Sequence, residues 1–150
     1  MDFSTYKHKD PKFKIKYPSN WKIVTAEEGF TLGFVSPYSH KGFSANINVA
    51  VKEYDYLMEN LDYYRDKFLD ETREGIDKFA LLETNKIQFL KSPAWELIYR
   101  GKKYKYKIKW LQIFTILGDK IYMVTYTNEL NYFPDHVQEA RIIADSMKLL

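Results

Sequence analysis

The chain has 150 residues, 45% hydrophobic and 29% charged, a balance typical of one soluble globular domain. It contains no cysteine, which excludes disulfides, thiolate metal sites and cysteine nucleophiles. The net charge of +3 is too small to predict nucleic-acid or membrane binding by itself. We therefore expect a single domain over residues 1–150, with no cofactor.

The first elements alternate polar and apolar residues, as strands do. The stretch KFKIKY predicts a strand with Phe13, Ile15 and Tyr17 facing inward. Pro18 should end it, because proline cannot donate to a ladder. Three further strands are predicted in the segments WKIV, FTLGFV and FSANINVAVKEY. In the last of these, one face carries Phe43, Ala45, Ile47, Val49 and Val51.

The segment from Glu53 to Asp77 is acidic and has a helical pattern. Its nine acidic side chains outnumber three basic ones, so the rest of the chain carries a net charge of +9. Apolar residues recur there at helical spacing, at Leu57, Leu61, Tyr64 and Phe68. We predict a helix with Asp55 as its N-cap and Gly75 at its end, on a molecule whose charge is polarised.

The second half of the chain predicts more strands and a closing helix. The strands fall at residues 80–90, 94–100, 103–117 and 120–128. The helix should begin at Pro134, since proline suits a first turn. One helix face then presents Val137, Ala140, Ala144 and Met147.

Two glycines predict tight hairpins between these strands. Gly101-Lys102 and Gly118-Asp119 each fit a two-residue type II′ loop with glycine first. The first loop would pair Tyr99 with Tyr104, Leu97 with Tyr106, Trp95 with Ile108, Glu96 with Lys107 and Ile98 with Lys105. The second would pair Ile116 with Ile121, Phe114 with Met123, Ile113 with Val124 and Leu111 with Tyr126. The result is a three-stranded antiparallel meander with one wholly apolar face.

The other face of that meander is apolar at one end and rich in lysine at the other. A sheet with helices on both sides would produce this difference, if one helix reached only part of the second face.

Several motifs resemble the PsbP-like family, named for the extrinsic subunit of photosystem II. They are FKIKYPSNWKI, the paired strands WLQIFTILGDKIYMVTYT and the closing segment ARIIADSMKL. The resembling positions are Tyr17, Pro18, Trp21, Trp110, Tyr122, Tyr126, Ser146, Met147 and Lys148. That fold is shared with a nuclear-import factor that binds the Ran GTPase.

The resemblance implies an α+β fold, an α/β/α sandwich in which helices flank an antiparallel sheet of about six or more strands. It also implies a non-enzymatic role as an accessory or adaptor that binds a larger protein. The exported N-terminal extension of photosynthetic members is not in this sequence. We therefore expect a relative from a non-photosynthetic prokaryote and not a photosystem subunit.

A stripe of lysines is one candidate interaction surface. It contains Lys103, Lys105, Lys107 and Lys109, with Lys12, Lys14 and Lys16 added if their strand lies nearby. Such a stripe could bind phosphate or an acidic partner, but stacking of bases needs exposed aromatic rings. The aromatic residues are predicted on the opposite face. We favour a solvated face that discourages edge pairing, and keep weak nucleic-acid or anion binding as an alternative.

The acidic helix is another candidate surface, with Asp62, Asp66 and Asp70 at intervals of four. Carboxylates can hold a hard cation, but the loop pattern of a calcium site is missing. We favour a charged outer face, or electrostatic docking of a basic partner, and expect no metal.

An aromatic turn is the third candidate, where Tyr17 and Trp21 could form the rim of a ligand site. We favour aromatic residues that close one end of the core. The histidines His8, His40 and His136 lack metal or catalytic spacing, and no nucleophile or phosphate-loop motif is present.

Our leading hypothesis is therefore a non-catalytic accessory or protein-interaction module with an unknown protein partner. The alternative is a small-ligand-binding protein or hydrolase with an aromatic pocket. We expect no nucleic-acid partner, no membrane span and a monomer or weak oligomer. The chain as given predicts a cytoplasmic location, or an extracytoplasmic one if a leader precedes Met1. Its lysine, isoleucine and tyrosine content leans towards a thermophile.

Overall fold

The computed structural model describes residues 2–25, 31–53 and 60–150. The first half contains β1 (Phe3–Lys9), β2 (Lys12–Pro18), β3 (Lys22–Thr25), β4 (Leu32–His40), β5 (Phe43–Glu53) and α1 (Leu61–Gly75). The second half contains β6 (Asp77–Phe89), β7 (Ser92–Lys103), β8 (Tyr106–Leu117), β9 (Lys120–Glu129), α2 (Phe133–Ser146) and β10 (Lys148–Leu149). A 3₁₀ turn at Leu130–Tyr132 leads into α2.

The described strands form two antiparallel sheets. The larger has seven strands in the order β3-β4-β5-β9-β8-β7-β6, and the smaller has three in the order β1-β2-β10. Helix α1 packs on one face of the larger sheet, while α2 packs on the other face together with β2. The predicted antiparallel sheet flanked by helices is confirmed. The separate small sheet was not predicted, because β1 was not recognised as a strand.

Each face of the larger sheet has its own hydrophobic core. On the α1 face, Tyr64 and Phe68 pack among the sheet residues Trp95, Leu97, Tyr99, Trp110, Phe114 and Ile121. On the α2 face, Ala140 and Ile143 pack among Phe13, Ile15, Phe34, Ile47, Leu111, Ile113 and Val124. The predicted inward positions of β2 and α2 belong to this second core, with Tyr17 and Val137 half-buried at its margin.

One predicted inward residue of β5 lies on the other side. Ala45, Ile47, Val49 and Val51 pack in the α2-face core as predicted, but Phe43 packs against the α1-face core. Phe43 is the first residue of the strand, and its ring meets the ring of Tyr106 edge-on at 5.2 Å. The prediction was therefore wrong at this end of the strand, where Phe43 packs with Tyr106 and not with the α2-face core.

Helix α1 begins at Leu61 and is capped by Asn60, whose side chain accepts a hydrogen bond from the Tyr63 backbone N–H at 2.9 Å. The predicted cap Asp55 and the predicted apolar residue Leu57 lie outside the described residues. The predicted end of the helix at Gly75 is confirmed.

The predicted register of the β7–β8 hairpin was wrong. Strand β7 continues through Gly101 to Lys103, and the turn is made by Tyr104 and Lys105, with Tyr104 at φ 56°. Tyr99 faces Trp110, Leu97 faces Gln112, Trp95 faces Phe114, Glu96 faces Ile113 and Ile98 faces Leu111. Each of these β7 residues pairs with a β8 residue that lies an even number of positions from its predicted partner. An even shift leaves the side chains on their predicted faces of the sheet. Tyr104, predicted in the core, is 86% exposed.

Gly101 is a glycine for packing and not for a turn. A Cβ at this position would clash with Ile76 Cγ2 and would lie 2.9 Å from the carbonyl oxygen of Asp77. The segment that follows α1, at Ile76 and Asp77, therefore passes so close to β7 that position 101 has no room for a side chain.

The second hairpin and the last helix follow the predictions. Gly118 adopts φ 63° in the turn, and Ile116 faces Ile121 while Phe114 faces Met123. Ile113 also faces Val124, and Leu111 faces Tyr126. Helix α2 begins at Phe133, one residue before Pro134.

Candidate binding groove

Three rows of paired side chains cross the α1 face of the larger sheet, from β5 through β9 and β8 to β7. The first row is Asn46, Thr127, Trp110 and Tyr99, and the second is Asn48, Thr125, Gln112 and Leu97. The third row is Ala50, Met123, Phe114 and Trp95. The β8 and β7 ends are buried with α1. The β5 and β9 ends of the first two rows are only half-buried.

A groove of about 510 Å³ lies over this uncovered part of the sheet. Its floor carries the neutral polar side chains of Asn46, Asn48, Thr125 and Thr127, which we call the polar floor. The C-terminal part of α1 forms one wall through Thr72, Gly75 and Ile76. The charged residues lie at the margins of the groove and are Lys52, Glu71 and Lys103.

The aromatic rings of Phe43 and Tyr104 line the groove, and Tyr106 packs behind Phe43. Phe43 and Tyr106 meet edge-on at 5.2 Å, and the Tyr106 hydroxyl donates to the Lys41 carbonyl oxygen at 3.0 Å. Tyr104 is 86% exposed. These rings give a polar cleft an apolar part.

Two buried polar side chains that line the groove, Tyr99 and Gln112, carry no charge. Burial raises the pKa of the Tyr99 hydroxyl well above its usual range, so this phenol stays protonated. Gln112 is 8% exposed, and its Nε2 donates to the Met123 sulfur at 2.9 Å. The groove therefore presents amide and hydroxyl groups without a buried charge.

The structure divides the predicted lysine stripe between different surfaces. Lys103 lies at the groove margin, and Lys105 sits in the turn with its Nζ 5.4 Å from the Tyr106 ring centre. Lys109 lies on the α2 face with its Nζ 4.6 Å above the Phe133 ring. Lys107 lines a different cleft. The prediction places the stripe on one strand, but the turn at residues 104–105 separates its members.

The lysines of β2 do not join this stripe. Lys12, Lys14 and Lys16 belong to the three-stranded sheet, where β2 pairs with β1 and β10. Lys14 and Lys16 line a separate cleft beside Lys148.

The predicted acidic residues of α1 have separate partners. Asp62 Oδ1 accepts a hydrogen bond from the Trp95 indole nitrogen at 3.0 Å. Asp66 pairs with Arg65 at 2.9 Å, and this hydrogen bond lowers the pKa of the carboxyl. Asp70 pairs with Arg73 at 3.2 Å. In the described parts of the chain, no group of acidic or histidine side chains is arranged to hold a metal ion.

The aromatic turn lies elsewhere on the molecule. Trp21 is 4% exposed and meets the His136 ring edge-on at 5.4 Å. Tyr17 stacks on Phe34 at 4.9 Å. Both rings pack against core residues, and neither contributes to the polar groove.

Each histidine packs on a different aromatic ring. His8 stacks on Phe13 with ring centres 4.9 Å apart, and His40 stacks on Tyr132 at 3.6 Å. His136 lies against Trp21, as described above. None of them is among the described residues that line the groove.

The polar floor is absent from the sequence-based predictions. The signal was present, because Asn46 and Asn48 alternate with buried Ile47 and Val49. A strand face that carries neutral amides, in a chain rich in lysine and glutamate, indicates a surface with a specific role. The pairing of β5 with β9, which places the two threonines beside these asparagines, is seen only in the structure.

The comparisons with known proteins agree with this fold. The sequence model of the PsbP-like protein family matches residues 1–149. The chain belongs to this family, which confirms the predicted resemblance. Among curated proteins, none matches the sequence at a significant level.

Solved structures share the fold at low sequence identity. Cyanobacterial PsbP from Synechocystis sp. PCC 6803 is 14% identical with a TM-score of 0.71, covering 99% of this chain and 92% of its own. LpqN of Mycobacterium tuberculosis, described as involved in cell envelope biogenesis, is 11% identical with a TM-score of 0.75 and coverages of 99% and 90%. PA94 of Pseudomonas aeruginosa, a protein of unknown function described as a putative regulator, is 15% identical with a TM-score of 0.69 and coverages of 96% and 94%.

Neither of the two helices in the described residues is long and apolar enough to span a membrane.

Proposed function

We propose that this chain is a non-catalytic accessory module that binds a segment of a partner protein in the groove over the polar floor. The proposal rests on the observation that α1 leaves part of the α1 face of the larger sheet uncovered, over β5 and β9. There Asn46, Asn48, Thr125 and Thr127 form a neutral polar surface beside the aromatic rings.

The chemistry of the floor suits a peptide backbone. Asparagine side chains donate and accept hydrogen bonds, and threonine hydroxyls do the same. Each peptide unit presents one donor and one acceptor, so such a floor can bind a segment without depending on its charges. A volume near 510 Å³ is within the range of binding clefts of about 300–1,000 Å³.

The position of the floor determines how a segment would bind. Strand β5 is paired with β4 on one side and β9 on the other, and β9 is paired with β5 and β8. Their backbone groups are already used in the sheet, so a partner cannot add a strand there. It would contact the side chains of the floor and the rings of Phe43 and Tyr104, which line the groove.

The groove residues also support a role without catalysis. Among the described residues that line it, Glu71 is the carboxylate, and there is no histidine, serine or aspartate. Activation of a hydroxyl nucleophile usually relies on a histidine or aspartate base, and neither residue type lines the described part of the groove. The hydrolase alternative therefore lacks its expected residues in this groove.

A second candidate function is binding of a small neutral ligand such as a sugar. The observation that favours it is the contact between Phe43 and Tyr106 beside the polar floor. Aromatic rings pack against apolar faces, while amides bind hydroxyl groups. This alternative uses the same groove and differs from the first in the ligand.

Selection from a phage-displayed library of random peptides tests the first proposal. We expect selected peptides to bind at least about ten-fold more weakly to Thr127→Trp, because an indole would fill the groove. Asn48→Trp provides a second groove variant if the first fails to fold. Ile142→Trp is the matched control, since Ile142 is 48% exposed on α2.

Two outcomes would overturn the peptide proposal. The first is a set of selected peptides that bind the groove variants and the control equally. The second is saturable binding on a glycan array, lost in Thr127→Trp, with no peptide selected. That second result would assign the groove to a sugar.

A further inference from the structure

We propose that a second site, on the α2 face, binds a ligand that carries a diphosphate group. Four cationic side chains line one cleft of about 290 Å³, and they are Lys78, Arg100, Lys102 and Lys107. We call this the basic cleft. Its other lining residues include Ala80, Gly101 and Leu130, and none of the described lining residues is acidic.

The strand register brings like charges together in the basic cleft. Lys102 lies directly opposite Lys107, and Arg100 lies directly opposite Lys109. Like charges at paired sheet positions repel each other and destabilise the sheet. Lys109 lies over the Phe133 ring, which leaves the other three charges facing the cleft.

The carboxylates of the described residues form no salt bridge with these four cations. Asp77 is opposite Lys102 in the register, but it forms no such pair and does not line the cleft. An anionic ligand would supply the missing negative charge.

Lys78 reaches the cleft through an unfavourable backbone conformation. The register shifts by one residue between Asp77 and Ala80, which is a β-bulge, and Lys78 adopts φ 53° within it. This left-handed region costs energy for a residue with a Cβ, and glycine would occupy it with less strain. A bulge redirects a side chain, and here it places a fourth charge in the cleft.

Charge and geometry favour a diphosphate over a single carboxylate. One phosphate monoester carries a charge of about −1.5 to −2 near neutral pH. A second, linked phosphate group adds further negative charge, so a diphosphate offsets most of the four positive charges. The planar guanidinium of Arg100 can bind phosphate oxygens in a bidentate manner, and lysines add point charges around them. A single carboxylate would leave most of the repulsion in place.

A neighbouring cleft extends the positive surface. It shares Lys107 and adds Lys41 and Lys105, next to Glu129. A larger phosphate-bearing molecule, or a lipid headgroup, could place further negative charges in this neighbouring cleft. The shared chemistry is the phosphate, and the experiment must separate a small molecule from a membrane surface.

Titration calorimetry with inorganic pyrophosphate tests the site. We expect one molecule bound per chain, with affinity reduced at least about ten-fold in Arg100→Gln and in Lys107→Gln. Lys22→Gln removes an exposed lysine from β3 and should bind as the wild type does. Binding should weaken as salt concentration rises.

Lys78→Gly separates binding from folding. Because glycine suits the φ of this position, the variant should melt no lower than the wild type, yet it should bind pyrophosphate more weakly. Equal binding by Lys78→Gly, Arg100→Gln and the wild type would overturn the proposal. Binding to phosphatidylglycerol vesicles, without binding to pyrophosphate, would overturn it in favour of a membrane surface.

Discussion

Arg141 in α2 donates a hydrogen bond to Glu96 in β7, with 2.5 Å between Nη1 and Oε2. The Glu96 side chain is only 5% exposed and also accepts a hydrogen bond from Asn85 Nδ2 at 3.3 Å. The residue opposite Glu96 is Ile113, which belongs to the apolar core. This pair therefore ties α2 to the larger sheet at a place with little other polar support.

Removing the arginine should destabilise the fold. Arg141→Met leaves a buried carboxylate without its cation, and we expect a loss of roughly 1–3 kcal/mol in the free energy of unfolding. Urea denaturation at neutral pH measures it. The control is Arg73→Met, since Arg73 and Asp70 are 57% and 72% exposed and such pairs contribute about 0–1 kcal/mol. Equal losses in the two variants would contradict this assignment.

Two glycines provide a matched pair for the close contact at β7. Gly101→Ala should cost about 1–3 kcal/mol, because its Cβ would overlap Ile76 and the Asp77 carbonyl. Gly75→Ala meets nothing within 4 Å and should be neutral or slightly stabilising. Urea midpoints of both variants test this, and an undiminished midpoint for Gly101→Ala would rule the contact out.

Gly101 illustrates the difference between features of the fold that could be predicted from the sequence and features that could not. Both helices, most strands and most of the sheet faces could be predicted, because period and polarity are local properties of the sequence. The β7–β8 register was not, since Gly101 resembles a turn residue while its true constraint is the passage of Ile76 overhead. That contact depends on the tertiary structure.

The groove was harder to predict than the fold. Its floor combines Asn46 and Asn48 with Thr125 and Thr127, which are about eighty residues away in sequence but paired in space. The acidic residue Asp62 was read as part of a charged face, while its carboxylate binds the Trp95 indole. Such long-range pairings cannot be derived from spacing along one helix or strand.

Alkaline pH should weaken the fold through buried tyrosines. Burial raises the pKa of Tyr126, so the folded chain keeps a proton that the unfolded chain loses above about pH 10. The folded state then binds more protons, and stability falls as pH rises. Below that pH the contribution is fully present. Burial also raises the pKa of Tyr99, so both residues add to the fall.

Urea midpoints measured from about pH 8 to pH 11 test this dependence. Tyr126→Phe should be less stable at neutral pH, because it loses the hydrogen bond to the Phe133 carbonyl oxygen at 2.7 Å. Its stability should also fall less steeply above about pH 10 than that of the wild type. Parallel curves for the two proteins would contradict the role of this hydroxyl.

The start of α1 depends on one side chain. Asn60→Ala removes the acceptor for the Tyr63 backbone N–H and should cost about 0.5–2 kcal/mol. Asn60→Asp keeps an acceptor at the same place and should retain nearly all of the stability. Thermal or urea unfolding compares the two. Equal destabilisation by both changes would mean that the cap is not the cause.

Position-specific photocrosslinking in cells of the source organism tests the central claim most directly. A photoreactive residue at Asn48 should give one discrete adduct with a partner protein, and adding Thr127→Trp should abolish it. The same residue at Ile142, exposed on α2, should give no such adduct. An adduct of equal yield from both positions, or one that persists when the groove is filled, would contradict binding in the groove.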